Sequence, residues 1–244
     1  MTKRKIVIFV ALAALLIILF LIYWFYFSKP ESFLSEEQVV DQINDTFAQA
    51  EAVRIQDTVD LDEEHVFVPF VTNSDEYGVS YWEWNYRKWG PVYISTSGEP
   101  MLWKIKPEKP STYHILWNIN PKDELSYFKY HLVRDRSYHI VDERHTYTPR
   151  IQIEHEIPVE ENTYGVFNIL EGWQSLYGET ATLLNDQTPN LNIFESNLGT
   201  YFGWTPYNQF DEQSYPESSL NGERFSNGAM TEFLRFVDET DLKK

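Results

Sequence analysis

The hydrophobic pattern of the chain begins with no alternation at all. Ile6 to Phe27, IVIFVALAALLIILFLIYWFYF, is an apolar run of 22 residues without a charge. Coiled as a helix at about 1.5 Å per residue it spans about 33 Å, enough for the ~30 Å hydrocarbon layer of a bilayer. A cleaved secretory signal has a shorter core of roughly 7–15 residues and then a small-x-small site. Here the run closes on Tyr23, Trp24, Phe25, Tyr26 and Phe27, which suit the membrane interface. Lys3, Arg4 and Lys5 precede it, so the positive-inside rule predicts a cytoplasmic tail over 1–5 and a transmembrane signal anchor over 6–27. Everything beyond then lies outside, on a single-pass protein of the cell membrane.

After a linker over 28–34 the period becomes helical. Ser35 and Gln38 form a capping-box pair, Glu36 and Glu37 favour the positive end of the helix dipole, and Val39, Val40, Ile43, Phe47 and Ala50 make one stripe. The pattern predicts a helix over 36–55. From His65 the period falls to two. HVFVPFVTN, YGVSYWEWNYRKW, PVYIST, PMLWKI, TYHILWNI, SYFKYHLVRD, SYHIV and RIQIEHEI are separated by turn signals such as SGEP, NPKD and RDRS. This spacing predicts antiparallel hairpins, the clearest turning at Ser97-Gly98. Further helices are predicted over 163–178, from Val166, Phe167, Leu170 and Trp173, and over 228–239, from Met230, Phe233, Leu234 and Val237. Residues 185–226 show little period and read as a long irregular segment. The expected fold is α+β: a transmembrane helix, then one outer domain over 35–244 with a mainly antiparallel sheet of about six to eight strands flanked by helices.

Charge narrows the partners. Residues 28–244 carry 17 basic and 37 acidic side chains, a net −20. A body this acidic repels nucleic acid and anionic surfaces, so no nucleic-acid partner is expected. The chain has no cysteine, which removes thiol nucleophiles and disulfides and leans towards a bacterial envelope.

Catalytic motifs are sparse. Ser126-Tyr127-Phe128-Lys129 and Ser219-Leu220-Asn221 match two elements of penicillin-binding chemistry, but no Lys-Ser/Thr-Gly follows and Ser126 lies in a strand-like run. His139 and His145 flank a bend and are the weak candidates for a metal; no cofactor is expected. Glu83 stands between Trp82 and Trp84, where desolvation would raise its pKa, although on a strand it points away from both.

One stretch stands out in composition: YWEWNYRKWG, 81–90, in which five of ten residues are aromatic. Drawn as one strand it puts Trp82, Trp84, Tyr86 and Lys88 on one face, and Tyr81, Glu83, Asn85, Arg87 and Trp89 on the other. An aromatic row of this kind either packs the core or forms a stacking surface. Trp82, Trp84, Tyr86 and Trp89 are the candidate ligand-binding residues, Trp89 being the one expected to be open. The reading of the whole chain is a membrane-anchored, non-catalytic binding or accessory domain of the cell envelope. Its expected partners are the membrane itself and an envelope protein or cell-wall glycan. A small envelope hydrolase and a structural subunit of a membrane complex are the alternatives.

Overall fold

The computed structural model describes residues 3–26, 29–141, 144–159, 162–178, 200–240 and 242. The first helix, α1 (Lys3–Tyr26), is apolar all round after its three basic residues, has no buried residue in its apolar stretch, and is long and apolar enough to cross a membrane. α2 (Glu36–Thr46) starts on the expected box: the Ser35 N–H donates to Gln38 Oε1 (3.0 Å) and the Gln38 N–H to Ser35 Oγ (3.5 Å). It does not run to 55. A 3₁₀ turn at Ala48–Ala50 ends in Glu51 at φ +41°, and Ala52–Ile55 is a strand, β1. Asn44 makes the change: its side chain donates to the Ala52 carbonyl (2.9 Å) and accepts from the Ala52 N–H (2.8 Å), satisfying both backbone groups where helix gives way to strand.

The remaining described residues stack three larger sheets. The first holds β1, β2 (Val59–Asp60), β3 (His65–Thr72), β4 (Tyr77–Asn85), β5 (Lys88–Ser95) and β14 (Arg224–Ser226). The middle sheet holds β6 (Met101–Lys104), β7 (Tyr113–Asn118), β12 (Tyr164–Asn168) and β15 (Thr231–Phe233). The third holds β8 (Leu125–Arg134), β11 (Ile151–Pro158), β13 (Thr200–Asn208) and β16 (Arg235–Phe236). Among the described residues, β9 (Ser137–Val141) and β10 (Arg144–Thr148) pair only with each other. Pairing is antiparallel except between β13 and β16.

Three apolar layers fill the gaps. Val39 and Ile43 of α2 pack on Val66, Val68, Phe70, Trp82 and Ile94 of the first sheet. Its other face sets Phe67, Tyr81 and Tyr93 against Met101, Trp103 and Leu116 of the middle sheet. Beyond that, Leu102, Ile115 and Trp117 meet Phe128, Tyr130, Leu132, Phe202 and Trp204 of the third. The middle sheet is thus covered on both faces, which is why β7 reads as an apolar run without alternation.

The single sheet expected from the sequence is therefore three, and several elements change with it. Ser97-Gly98 does not close a hairpin; it carries the chain from the first sheet to the middle one. There Gly98 lies so close to the Asn118 carbonyl that a Cβ would come within 1.7 Å of its oxygen. The helix expected over 163–178 is strand β12 followed by helical residues at 171–178, α3, beyond which the chain lies outside the described residues. Gly165 lets β12 pass beneath the Trp117 ring, where a Cβ would approach to 2.2 Å. The helix expected over 228–239 is the two short edge strands β15 and β16. Within the segment read as irregular, 185–199 lies outside the described residues, but Thr200–Asn208 is β13, at the centre of the third sheet.

Candidate functional site

The aromatic stretch 81–90 is a hairpin, not one strand. β4 ends at Asn85, Tyr86 and Arg87 both take positive φ (50° and 62°), and β5 begins at Lys88. Two successive residues in that region make the type I′ turn that matches the twist of paired strands. Folding back brings Trp84 opposite Trp89, with the rings edge-on at 5.6 Å. Trp82 is fully buried and its indole N–H donates to Ser80 Oγ (2.9 Å). Trp89, expected to be open, is 6% exposed, and its indole N–H donates to the Glu31 carbonyl (3.0 Å). Of the four candidate rings, Trp84 is half-buried and Tyr86, at 56%, is the exposed one.

These rings hold the linker. Phe33 sits edge-on to Trp82 (5.5 Å) and to Trp89 (5.1 Å). Arg87 pairs with Glu31 (3.0 Å) and lies 4.3 Å from the centre of the Trp24 ring, near the end of α1. An exposed ion pair contributes at most about 1 kcal/mol. Each aromatic contact adds about 0.5–1.5 kcal/mol beyond the area it buries, so the Phe33 seat dominates. The sequence singles out the right stretch, but its partners lie some fifty residues upstream and leave no local signal.

Beside this clamp lies an acid–histidine notch. His65 Nδ1 is 2.7 Å from Asp62 Oδ1, its Nε2 is 4.0 Å from Glu83 Oε1, and its ring stands edge-on to Trp103 at 5.5 Å. Burial raises the Glu83 carboxyl above its ordinary range. Burial opposes ionisation of Asp62 too, but hydrogen bonds from the His65 ring and the Glu64 N–H overcome it and hold that carboxyl low. Asp62 faces an open cleft of about 650 Å³ with Glu31, Asp60 and Glu63, and Glu83 faces another of about 510 Å³ with Asn85 and Lys88. The notch sets two carboxylates on the two nitrogens of one imidazole, at 2.7 and 4.0 Å. Among the described residues, no serine or threonine hydroxyl bonds to His65.

The other candidates separate. In the β9–β10 register His139 stands opposite Thr146 and His145 opposite Ile140, on successive rungs, and the His145 ring bonds to the Tyr138 hydroxyl. No group of three His, Asp or Glu side chains placed to hold a metal ion occurs among the described residues. Ser126 lies in β8. Ser219 is a staple: its oxygen accepts from the Asn120 N–H (2.8 Å) and its hydroxyl donates to Asp123.

The feature that sequence reading missed is an arm. The β8–β11 ladder ends at Arg134 opposite Ile151, and β9–β10 resumes the same hairpin at Ser137 opposite Thr148. RDRS, read as a turn, is a break within one long strand. Tyr138 stands opposite Tyr147 and Ile140 opposite His145, so one face carries Tyr138, Ile140 and Tyr147, which are 57, 59 and 64% exposed. Compared with protein families, characterised proteins and solved structures, the chain matches none.

Proposed function

We propose that this chain is a membrane-anchored, extracytoplasmic binding module of a bacterial envelope, held at its base by α1 and engaging a protein partner through the β9–β10 arm. The observation that carries the reading is the arm's uncovered face of Tyr138, Ile140 and Tyr147. A two-stranded ribbon is marginal by itself, and exposed aromatic area of this kind is seldom kept without use. Charge sets the arm apart from the body. Residues 134–150 hold four arginines against three acids, while residues 28–244 as a whole carry a net −20. At close range the arm's arginines can pair with carboxylates at the rim of a protein surface with an apolar centre, while the acidic body supplies no long-range attraction to an acidic partner. The buried rings of Trp82 and Trp89 offer no face to a glycan, which weighs for a protein.

The test is a photo-crosslinking amino acid placed at Tyr147, with Val53, also exposed, as the control site. In intact membranes the reading expects a discrete heterologous adduct from 147 and not from 53, lost when Tyr138→Ser is added. An adduct at twice the chain's own mass, or equal labelling from both sites, contradicts it.

A further inference from the structure

We propose that the β4–β5 turn, Tyr86 to Lys88, rests in the phospholipid headgroup layer beside the exit of α1, so that the domain meets the bilayer at a second point. The inference rests on the reading of α1 as the anchor. A tryptophan near the end of a spanning helix sits at headgroup level. The Arg87 guanidinium lies 4.3 Å from the Trp24 ring centre, so the turn shares that depth by direct contact. Nor can it swing away freely: Arg87 is tied to Glu31 (3.0 Å), Trp89 to the Glu31 carbonyl (3.0 Å), and Phe33 is wedged between Trp82 and Trp89.

The side chains carried there suit that layer. Tyr86 is 56% exposed and offers an apolar ring with a polar tip. Lys88, exposed at the start of β5, brings ammonium donors to phosphate height, and Lys29 is exposed just after α1. The surroundings decide which lipid. Glu31, Asp60, Asp62 and Glu63 line the cleft beside the linker, so the base is not a cationic patch. The contact is with the phosphate and glycerol level of zwitterionic headgroups and needs no anionic lipid.

Because the chain has no cysteine, Lys88→Cys and, in a separate chain, Asn73→Cys each give one labelling position. Asn73 follows β3 at the opposite end of the β3–β4 pair; the nine residues of β4 put the two ends about 26 Å apart at 3.3 Å per residue. The full chain, carrying a bimane label, is reconstituted into phosphatidylcholine vesicles containing a headgroup-nitroxide lipid. The expected result is quenching several-fold stronger at 88 than at 73, reduced by Arg87→Ala and unchanged when phosphatidylglycerol replaces part of the phosphatidylcholine. Equal quenching at the two positions, in chains that resist alkaline extraction, overturns the inference and leaves the anchor standing. Quenching that appears only with phosphatidylglycerol also overturns it, as general charge attraction. Chains released by alkali overturn both readings.

Discussion

The β4–β5 hairpin and the β9–β10 arm draw on the same materials, antiparallel strands rich in Tyr and Trp or Ile, yet their rings end in opposite surroundings. In the first, Trp82 and Trp89 are buried against Phe33, and the hairpin is flanked by β3 and further along by β14. In the second, the strands pair with each other alone among the described residues, and Tyr138, Ile140 and Tyr147 are exposed. Burial of an aromatic strand is decided by what the rest of the chain brings against it. Aromatic content alone says nothing of exposure. At the base those rings are covered; on the arm they are exposed.

The largest effect expected from breaking this contrast is at Trp82. Trp82→Ala empties a fully buried site and should lower unfolding stability by about 3–5 kcal/mol. Tyr147→Ser on the arm should change it by less than about 0.5 kcal/mol. Urea unfolding of the full chain in micelles reads both; comparable losses at the two positions would mean that the arm is packed after all.

Acid sharpens the contrast, because a buried histidine lies beneath the arm's root. His131 in β8 is fully buried; Thr205 gives its hydroxyl proton to the Val237 carbonyl (2.8 Å) and so accepts from His131 Nε2–H (2.9 Å). Nδ1 has no hydrogen-bond partner among the described residues, and burial pushes the ring's pKa down to about 4, against the attraction of Glu154. The unfolded chain, near 6.5, binds the proton more readily than the folded one. Stability from this group is therefore complete above about pH 6.5 and declines as pH falls towards 4, by about 3 kcal/mol in all. His131→Gln should flatten the pH dependence of the unfolding midpoint across that window. A variant as acid-sensitive as the parent would assign the loss to other groups.

How much of this was legible in the sequence follows from how local each cause is. The start of α2 was, because Ser35 and Gln38 act within one turn. β3, β7 and β8 were legible as strands, but not their division among three sheets: residues buried on both faces erase the period that tells inside from outside. β12 was misread because its partners, His114 to Asn118, are some fifty residues away, while its own spacing mimics a helix turn. The Tyr86-Arg87 turn has neither the Asn nor the Gly that usually announces a type I′ turn. β13 was hidden by Gly203 and Pro206; Gly203 is required because a Cβ there would lie 2.4 Å from Val237. For the candidate site, composition marked 81–90 without its partner Phe33. The arm was invisible because exposed and buried tyrosines alternate alike.

The most direct measurement is amide hydrogen exchange on the full chain in nanodiscs, comparing β4–β5 with β9–β10. The account predicts that amides at 79–84 and 92–95 exchange only through global unfolding, while those at 137–141 and 144–148 open locally and much faster. Equal protection of the two hairpins in the isolated protein would show the arm to be already covered, and would contradict the division between a clamped base and an open arm.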